Sequence, residues 1–300
     1  MDGHRALQLA MDACQADPAC AEAFGDVRHK LDELLARLDR SPDEISIQHP
    51  RTGAHLDVTI TRDTIVFLVR GALYSAELSS LLPLVIDRAH QGDYGPLAAM
   101  ADPWNDIDKA MSLGMFFSVI CSEDLSQITE ADRQLMLAEP FLGGAALELY
   151  EEVCGFWPRG DLPAGYHDPV VSDRPVLVLS GALDPVTPPR WGELVTAHLT
   201  RARHVVVPGV AHGTLAYGCV PRLMAQFLEE GSVDSLDVTC VEKLSRPPFF
   251  SSFTGPAPTA EATVQPEEAT PPLADAPADS ADGARMLMDP SSPRADGGGQ

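Results

Sequence analysis

The sequence predicts an α/β chain in three parts: a mainly helical region over residues 1–165, a strand–helix–strand segment over 166–253, and a disordered tail over 254–300. Three observations predict it. Apolar residues recur at helical spacing through much of the first 155 positions. Two short β-branched runs, Pro175-Val-Leu-Val-Leu-Ser180 and Arg203-His-Val-Val-Val207, then stand about thirty residues apart with a helical pattern between them. Beyond 253 the chain is dominated by Ala, Pro, Asp, Glu and Ser, which cannot bury enough apolar surface to offset the entropy of ordering it.

Taken in order, residues 1–40 predict helix–loop–helix. Ala6, Leu7, Leu9 and Ala10 repeat at helical spacing, Asp17-Pro18 breaks the run, and Phe24, Val27, Leu31, Leu34, Leu35 and Leu38 resume it. Alternation of Ile45 and Ile47, then of Leu56, Val58 and Ile60, around Pro50-Arg-Thr-Gly53 signals a hairpin. Thr61, Asp63 and Thr64 open a helix that runs into the apolar 64–74 segment, residues 75–90 form another, and a further helix is expected over 106–113. Met115-Phe-Phe-Ser-Val-Ile-Cys121 reads as a short extended run ending at Ser122-Glu123-Asp124, after which helical patterning returns over 129–155. Strand 175–180 leads to Thr187-Pro188-Pro189, a helix start with Thr187 as N-cap and Pro188 in the first helical position. That helix runs to about Leu199, strand 203–207 follows, and a last helix covers about 219–230. Two buried-type strands with a helix between them make a βαβ unit.

Lys and Arg number 21 against 44 Asp and Glu, a net charge of −23. So acidic a surface repels phosphate backbones and anionic lipid, so nucleic acid is not expected as a partner. Apolar stretches fall well short of the ~20 residues a membrane-spanning helix needs. Residues 1–15 lack a basic start followed by an apolar run, so they do not read as a signal peptide. The six cysteines fall as Cys14/Cys20, Cys121/Cys154 and Cys219/Cys240, three sequence-local pairs. Six cysteines allow fifteen pairings, and six buried reduced thiols are the alternative. Disulfides would place the protein in an oxidising compartment. Such export, without a leader, implies that an N-terminal portion is absent. No metal is expected, because no Cys-x-x-Cys or Cys/His cluster has ligand spacing. No cofactor is expected either.

Just beyond each β-branched run lies a polar side chain able to do chemistry, Asp184 after the first and His212 after the second. Acid and base at successive strand ends, in that chain order, are the arrangement of a serine-hydrolase triad. The bland alternative makes Asp184-Pro185 a turn and His212-Gly213 a loop. No Gly-x-Ser-x-Gly occurs in the 300 residues. A parallel sheet needs both faces covered and usually four or more strands, and only two of that kind are visible. The chain is therefore expected to be a fragment or one half of a two-chain assembly.

Ser180-Gly-Ala-Leu-Asp184-Pro-Val-Thr-Pro188-Pro, Val207-Pro-Gly-Val-Ala-His212-Gly, Gly218-Cys219 and Asp237-Val-Thr-Cys240 … Arg246-Pro-Pro-Phe249-Phe resemble the C-terminal region of secreted tripeptidyl-aminopeptidase-like α/β-hydrolases, relatives of the proline iminopeptidases. Upstream, Cys121-Ser-Glu-Asp124, Cys154-Gly-Phe-Trp157-Pro and the Cys14/Cys20 segment resemble that family's helical cap, so the likeness covers about residues 1–253. The resemblance implies the C-terminal part of an α/β-hydrolase fold behind a cap, with the nucleophile elbow, oxyanion loop and signal peptide lying before Met1. It implies an extracytoplasmic serine peptidase that removes short peptides from a free N-terminus, with Asp184 as triad acid and His212 as general base. Glu123 and Asp124 are then candidates for the substrate's α-ammonium, through charge-assisted hydrogen bonds. Their alternative is a solvated pair at a helix start. Trp157, Phe116 and Phe117 are cleft candidates or plain core. The expected partners are a peptide substrate and the absent N-terminal half. An esterase or amidase of the same fold, and a non-catalytic remnant of a split or truncated gene, are the competing readings.

Overall fold

The structure is a computed structural model and describes residues 1–48, 52–100 and 112–258. Within it Met1–Ala257 forms one compact unit. The hairpin residues 49–51, the expected helix over 106–113 as far as residue 111, and the tail from 259 onward lie outside the described residues.

The chain starts with three helices, α1 (Asp2–Ala16), α2 (Pro18–Phe24) and α3 (Val27–Arg40). Asp17, expected as a break, is a cap: its carboxylate accepts from Ala19 N and Cys20 N, with Pro18 at the first helical position. The antiparallel hairpin β1 (Asp43–Gln48) and β2 (His55–Ile60) follows, with Asp43 opposite Ile60. Then come α4 (Arg62–Ala72), started by a Thr61/Thr64 capping box, and α5 (Ala76–Ser79), α6 (Leu82–His90) and α7 (Gly95–Ala99). The single helix expected over 75–90 is thus two. Pro83 belongs to a first helical turn, and the Ser80 carbonyl accepts from Phe250 N. Leu34, Ile65, Leu82, Ile86 and Leu97 are the fully buried centre of this helical layer.

The extended run expected at 115–121 is helical: α8 (Leu113–Val119) continues through a π-turn at Ile120–Asp124 and a 3₁₀ turn at Leu125–Gln127. Ser112 caps α8 by accepting from Met115 N, and among the described residues the run has no ladder partner to make it a strand. Short apolar runs carry no periodicity that separates strand from helix. α9 (Glu130–Leu137) and α10 (Ala145–Phe156) are separated at Pro140 and at Gly143, which takes φ 60°.

β3 (Val176–Gly181) and β4 (Ala202–Val207) pair in parallel, Val178 opposite His204, with α11 (Pro189–Thr196) crossing between them. This is the expected βαβ unit. α12 (Val220–Glu230) follows, ending at Gly231 in the left-handed region. A small hairpin, β5 (Phe250–Ser252) and β6 (Gly255–Pro256), straddles the boundary at 253/254, its second strand occupying the first residues assigned to the tail. A second core of Val205, Val207, Val210, Val220, Leu223 and Val241 backs β4 and α12. α11 starts one residue later than expected: Pro188 is its N-cap and Pro189 its first helical residue, because the Thr187 hydroxyl is engaged elsewhere. The cysteines form three disulfides, Cys14–Cys20, Cys121–Cys154 and Cys219–Cys240, with none left free. Among the described residues no helix is long and apolar enough to cross a membrane.

Candidate active site

β3 and β4 run side by side and end together, so the loops behind them meet. Gly181 closes β3, and a Cβ there would collide with the carbonyl of Ala211 and lie 2.6 Å from that of Val210. Only a glycine lets the second loop come so close. Leu183 N donates to Val210 O and Ala182 N to Val207 O, each at 3.0 Å, which stitches the loops together. Gly209 turns the second loop at φ 67°. The sequence Gly181 … Gly209 thereby fixes where Asp184 and His212 stand.

Asp184 is buried, 4% exposed, and its carboxylate is fully used. Oδ1 accepts from Val186 N at 2.7 Å and Thr187 N at 2.8 Å. Oδ2 accepts from the Thr187 hydroxyl at 3.1 Å and lies 2.9 Å from His212 Nδ1. A carboxylate only accepts, so the Nδ1 proton points at Asp184 and a neutral ring keeps its lone pair on Nε2. That nitrogen has no hydrogen-bond partner among the described residues, and the His212 side chain is 43% exposed. On the other side, His212 N donates to Tyr74 O at 3.1 Å, and the Tyr74 ring packs edge-on to the imidazole with centroids 5.4 Å apart. The base is thus held by an acid on one loop and by the end of α4 on another.

A serine–histidine pair joins the strands: Ser180 Oγ and His204 Nε2 lie 2.9 Å apart. Ser180 is buried beneath α11, where Gly192 leaves room for the His204 ring. It is a packing contact and not an accessible nucleophile. Among the described residues no group of three or more His, Cys, Asp or Glu could hold a metal ion.

Glu123 and Asp124 lie on the π-turn, which the Cys121–Cys154 disulfide ties to α10. Glu123 is half-buried and Asp124 exposed. Glu123 Oε2 accepts from Tyr166 OH at 2.5 Å, which pushes that phenol up. Asp124 is pushed above the usual carboxylate range, first by desolvation, then by the Glu123 charge, with His167 opposing. Trp157 donates from Nε1 to Ser118 Oγ at 3.1 Å and packs on Phe117 with centroids 5.5 Å apart. Phe117 meets Phe116, and Phe116 meets Tyr150 at 6.1 Å. The Tyr150 phenol is pushed up mainly by burial, with Arg70 lowering and Tyr74 raising it. Arg70 in turn lies 5.3 Å from the Tyr74 ring centroid. Ring contacts therefore lead from Trp157 to Tyr150, and a separate one joins Tyr74 to His212.

Sequence reasoning missed Thr187, Tyr74, Arg70 and Tyr150. Thr187 was legible, since an Asp followed three residues later by Thr is the pattern of a side chain that folds back on its own loop. The other three come from α4, its C-terminal end and α10, distant in sequence from Asp184 and His212, and carried no local signal.

No curated protein matches the chain. Residues 139–240 match the model of the α/β-hydrolase family described as TAP-like protein, a span that includes α10, β3, Asp184, β4, His212 and both ends of the Cys219–Cys240 disulfide. The C-terminal region of this chain is therefore similar to a TAP-like α/β-hydrolase domain.

Proposed function

We propose that this chain supplies the acid and the base of an exported serine aminopeptidase that removes short peptides from the N-terminus of its substrate. In this reading residues 1–165 are its cap. The observation that carries it is the Asp184–His212 pair: a buried, fully hydrogen-bonded carboxylate 2.9 Å from Nδ1 of an imidazole whose Nε2 faces outward. The nucleophile comes from a second polypeptide segment, because the sequence holds no Gly-x-Ser-x-Gly. The docking site for that segment is the two-stranded β3–β4 sheet, beside which α11 exposes Trp191, Leu194 and Val195.

The chemistry follows from the geometry. The serine Oγ forms its bond to the scissile carbonyl carbon as Nε2 of His212 takes the hydroxyl proton. Asp184 holds the Nδ1 proton and stabilises the imidazolium. The tetrahedral intermediate collapses by breaking the C–N bond, and His212 returns the proton to the leaving amine. Water then repeats the sequence on the acyl-serine, releasing the N-terminal peptide as its acid. Glu123 and Asp124 receive the substrate's α-ammonium, and Trp157 with Phe116 and Phe117 lines its path. The three disulfides support an oxidising compartment.

The test is labelling by a fluorophosphonate probe. The full chain alone stays unlabelled. Co-produced with the polypeptide encoded directly upstream, it gives a complex labelled on the partner's serine, and His212→Ala abolishes that labelling. Labelling of the chain alone, or an upstream frame without a Gly-x-Ser-x-Gly, overturns the reading.

A further inference from the structure

The chain carries 44 acidic and 21 basic side chains. Arg28, Arg37, Arg62, Arg88, Arg133 and Arg190 each pair with a carboxylate. Arg70, like Arg5, Arg40 and several other arginines, has no carboxylate within ion-pairing distance among the described residues. Its place in the fold is specific. It projects from the last turn of α4, one turn before Tyr74, and its guanidinium carbon sits 5.3 Å from the Tyr74 ring centroid. The same ring stands 5.4 Å from the His212 imidazole. The guanidinium is therefore no farther from the candidate base than those two steps laid end to end. The Arg70 charge opposes the burial that pushes the phenol of Tyr150 on α10 up. Gly3 of α1 lies against Arg70, where an added Cβ would stand 3.9 Å from Arg70 Nε. Arg70 is half-buried, so its charge acts through a medium of lower dielectric than water.

We propose that Arg70, set between the Tyr74 ring and Gly3, is a carboxylate subsite beside His212 that receives the C-terminal carboxylate of the leaving fragment. This rests on the peptidase reading of His212. A base that returns its proton to the leaving amine has the leaving fragment against it. From that amine, one hydrogen bond of about 3 Å from Nε2, an extended chain advances about 3.5 Å per residue. The span from His212 to Arg70 is then bridged by one or two residues ending in a carboxylate. The substrate class that follows is short peptides with a free C-terminus, cut so that an amino acid or dipeptide leaves. Guanidinium and carboxylate meet through two parallel N–H···O bonds, which a C-terminal amide cannot accept in the same way.

The site lies wholly on this chain, so the full 300-residue protein alone suffices for the test. The probes are L-alanyl-L-alanine and its C-terminal amide, titrated while the His212 imidazole signals are followed by NMR. Both carry the same free amine, so Glu123 and Asp124 contribute equally to each. The acid is expected to bind about tenfold more tightly than the amide, the size of one charge-assisted contact. Arg70→Gln erases that preference and Arg70→Lys keeps part of it, with the melting temperature recorded for each. Equal binding of acid and amide by the unsubstituted chain, absence of binding, or a preference that survives Arg70→Gln overturns the proposal. The two readings fail separately. Loss of fluorophosphonate labelling in the assembled enzyme removes the peptidase and leaves an Arg70-dependent acid preference standing, whereas loss of that preference leaves the labelling untouched.

Discussion

Asp184 is surrounded by donors alone: two backbone N–H groups, one hydroxyl and one imidazole N–H converge on its two oxygens. An amide in its place has only one oxygen to offer. In Asp184→Asn that oxygen stays with the two backbone N–H groups, and the new NH₂ turns toward Oγ1 of Thr187 and Nδ1 of His212. The fold survives at a cost of about 1–2 kcal/mol in urea denaturation, for weaker hydrogen bonds to a neutral acceptor. The larger effect is on His212. Facing a donor, Nδ1 must accept, so the ring proton moves to Nε2 and the base is lost. Imidazole ¹⁵N shifts report this directly, and in the assembled enzyme kcat falls on the order of 10⁴-fold. An unchanged tautomer would sink the account of Asp184. Both residues were legible because each ends a local pattern, a β-branched run followed by small residues. Arg70, Tyr74 and Tyr150 were not, because on a helix the sequence shows which residues share a face and nothing of what the face meets.

At the scale of elements, the βαβ unit was legible from its two strands, and its tightest contact was not. Gly192 is the buried residue of α11, and a Cβ there would lie 2.5 Å from His204 Nε2 and 2.9 Å from Ser180 Oγ. The His204 ring cannot swing aside without breaking its bond to Ser180. Gly192→Ala gains helix propensity of about 1 kcal/mol, yet the overpacking outweighs it, for a net loss of about 1–2 kcal/mol. In a His204→Ala background the imidazole is gone and the Ser180 hydroxyl, released from it, can rotate away from the added Cβ, so the same substitution is neutral or stabilising. A double-mutant cycle by chemical denaturation measures the difference, and additive effects would show that α11 does not pack on His204. From sequence, a glycine inside a helical pattern reads only as a weak point. The same ambiguity explains 115–121: seven apolar and small residues fit a strand by composition, while Ser112 and the disulfide at Cys121 make them a helix and a π-turn.

Across the whole molecule, two apolar cores coexist: one among α1 to α7, the other behind β4 and α12. Neither includes the segment of α8 and α10 that carries Glu123, Asp124 and Trp157. α8 buries none of its residues whereas α10 buries Leu147, so apolar packing holds the α8 side of this segment weakly. Its fixed point is Cys121–Cys154, both sulfurs buried, closing 33 residues of chain. The chain-entropy account gives a loop of that length roughly 3–4 kcal/mol of stabilisation, a large share of the 5–15 kcal/mol by which a domain is stable. Cys14–Cys20 closes only six residues between helices already buried in the first core, so less depends on it. The paired Cys121→Ala/Cys154→Ala variant is therefore expected to lose order first around 113–157. Hydrogen exchange would rise there by two orders of magnitude or more, as roughly 3 kcal/mol requires, while amides of α3, α4 and α6 stay protected. The Cys14→Ala/Cys20→Ala variant leaves 113–157 unchanged. Because the Asp184–His212 contact is built on β3, β4 and the end of α4, its imidazole signals persist in both variants. If opening the Cys121–Cys154 loop instead exposed α3 and α6 to the same degree, the segment would be part of one cooperative core, and its separate anchoring would be disproved.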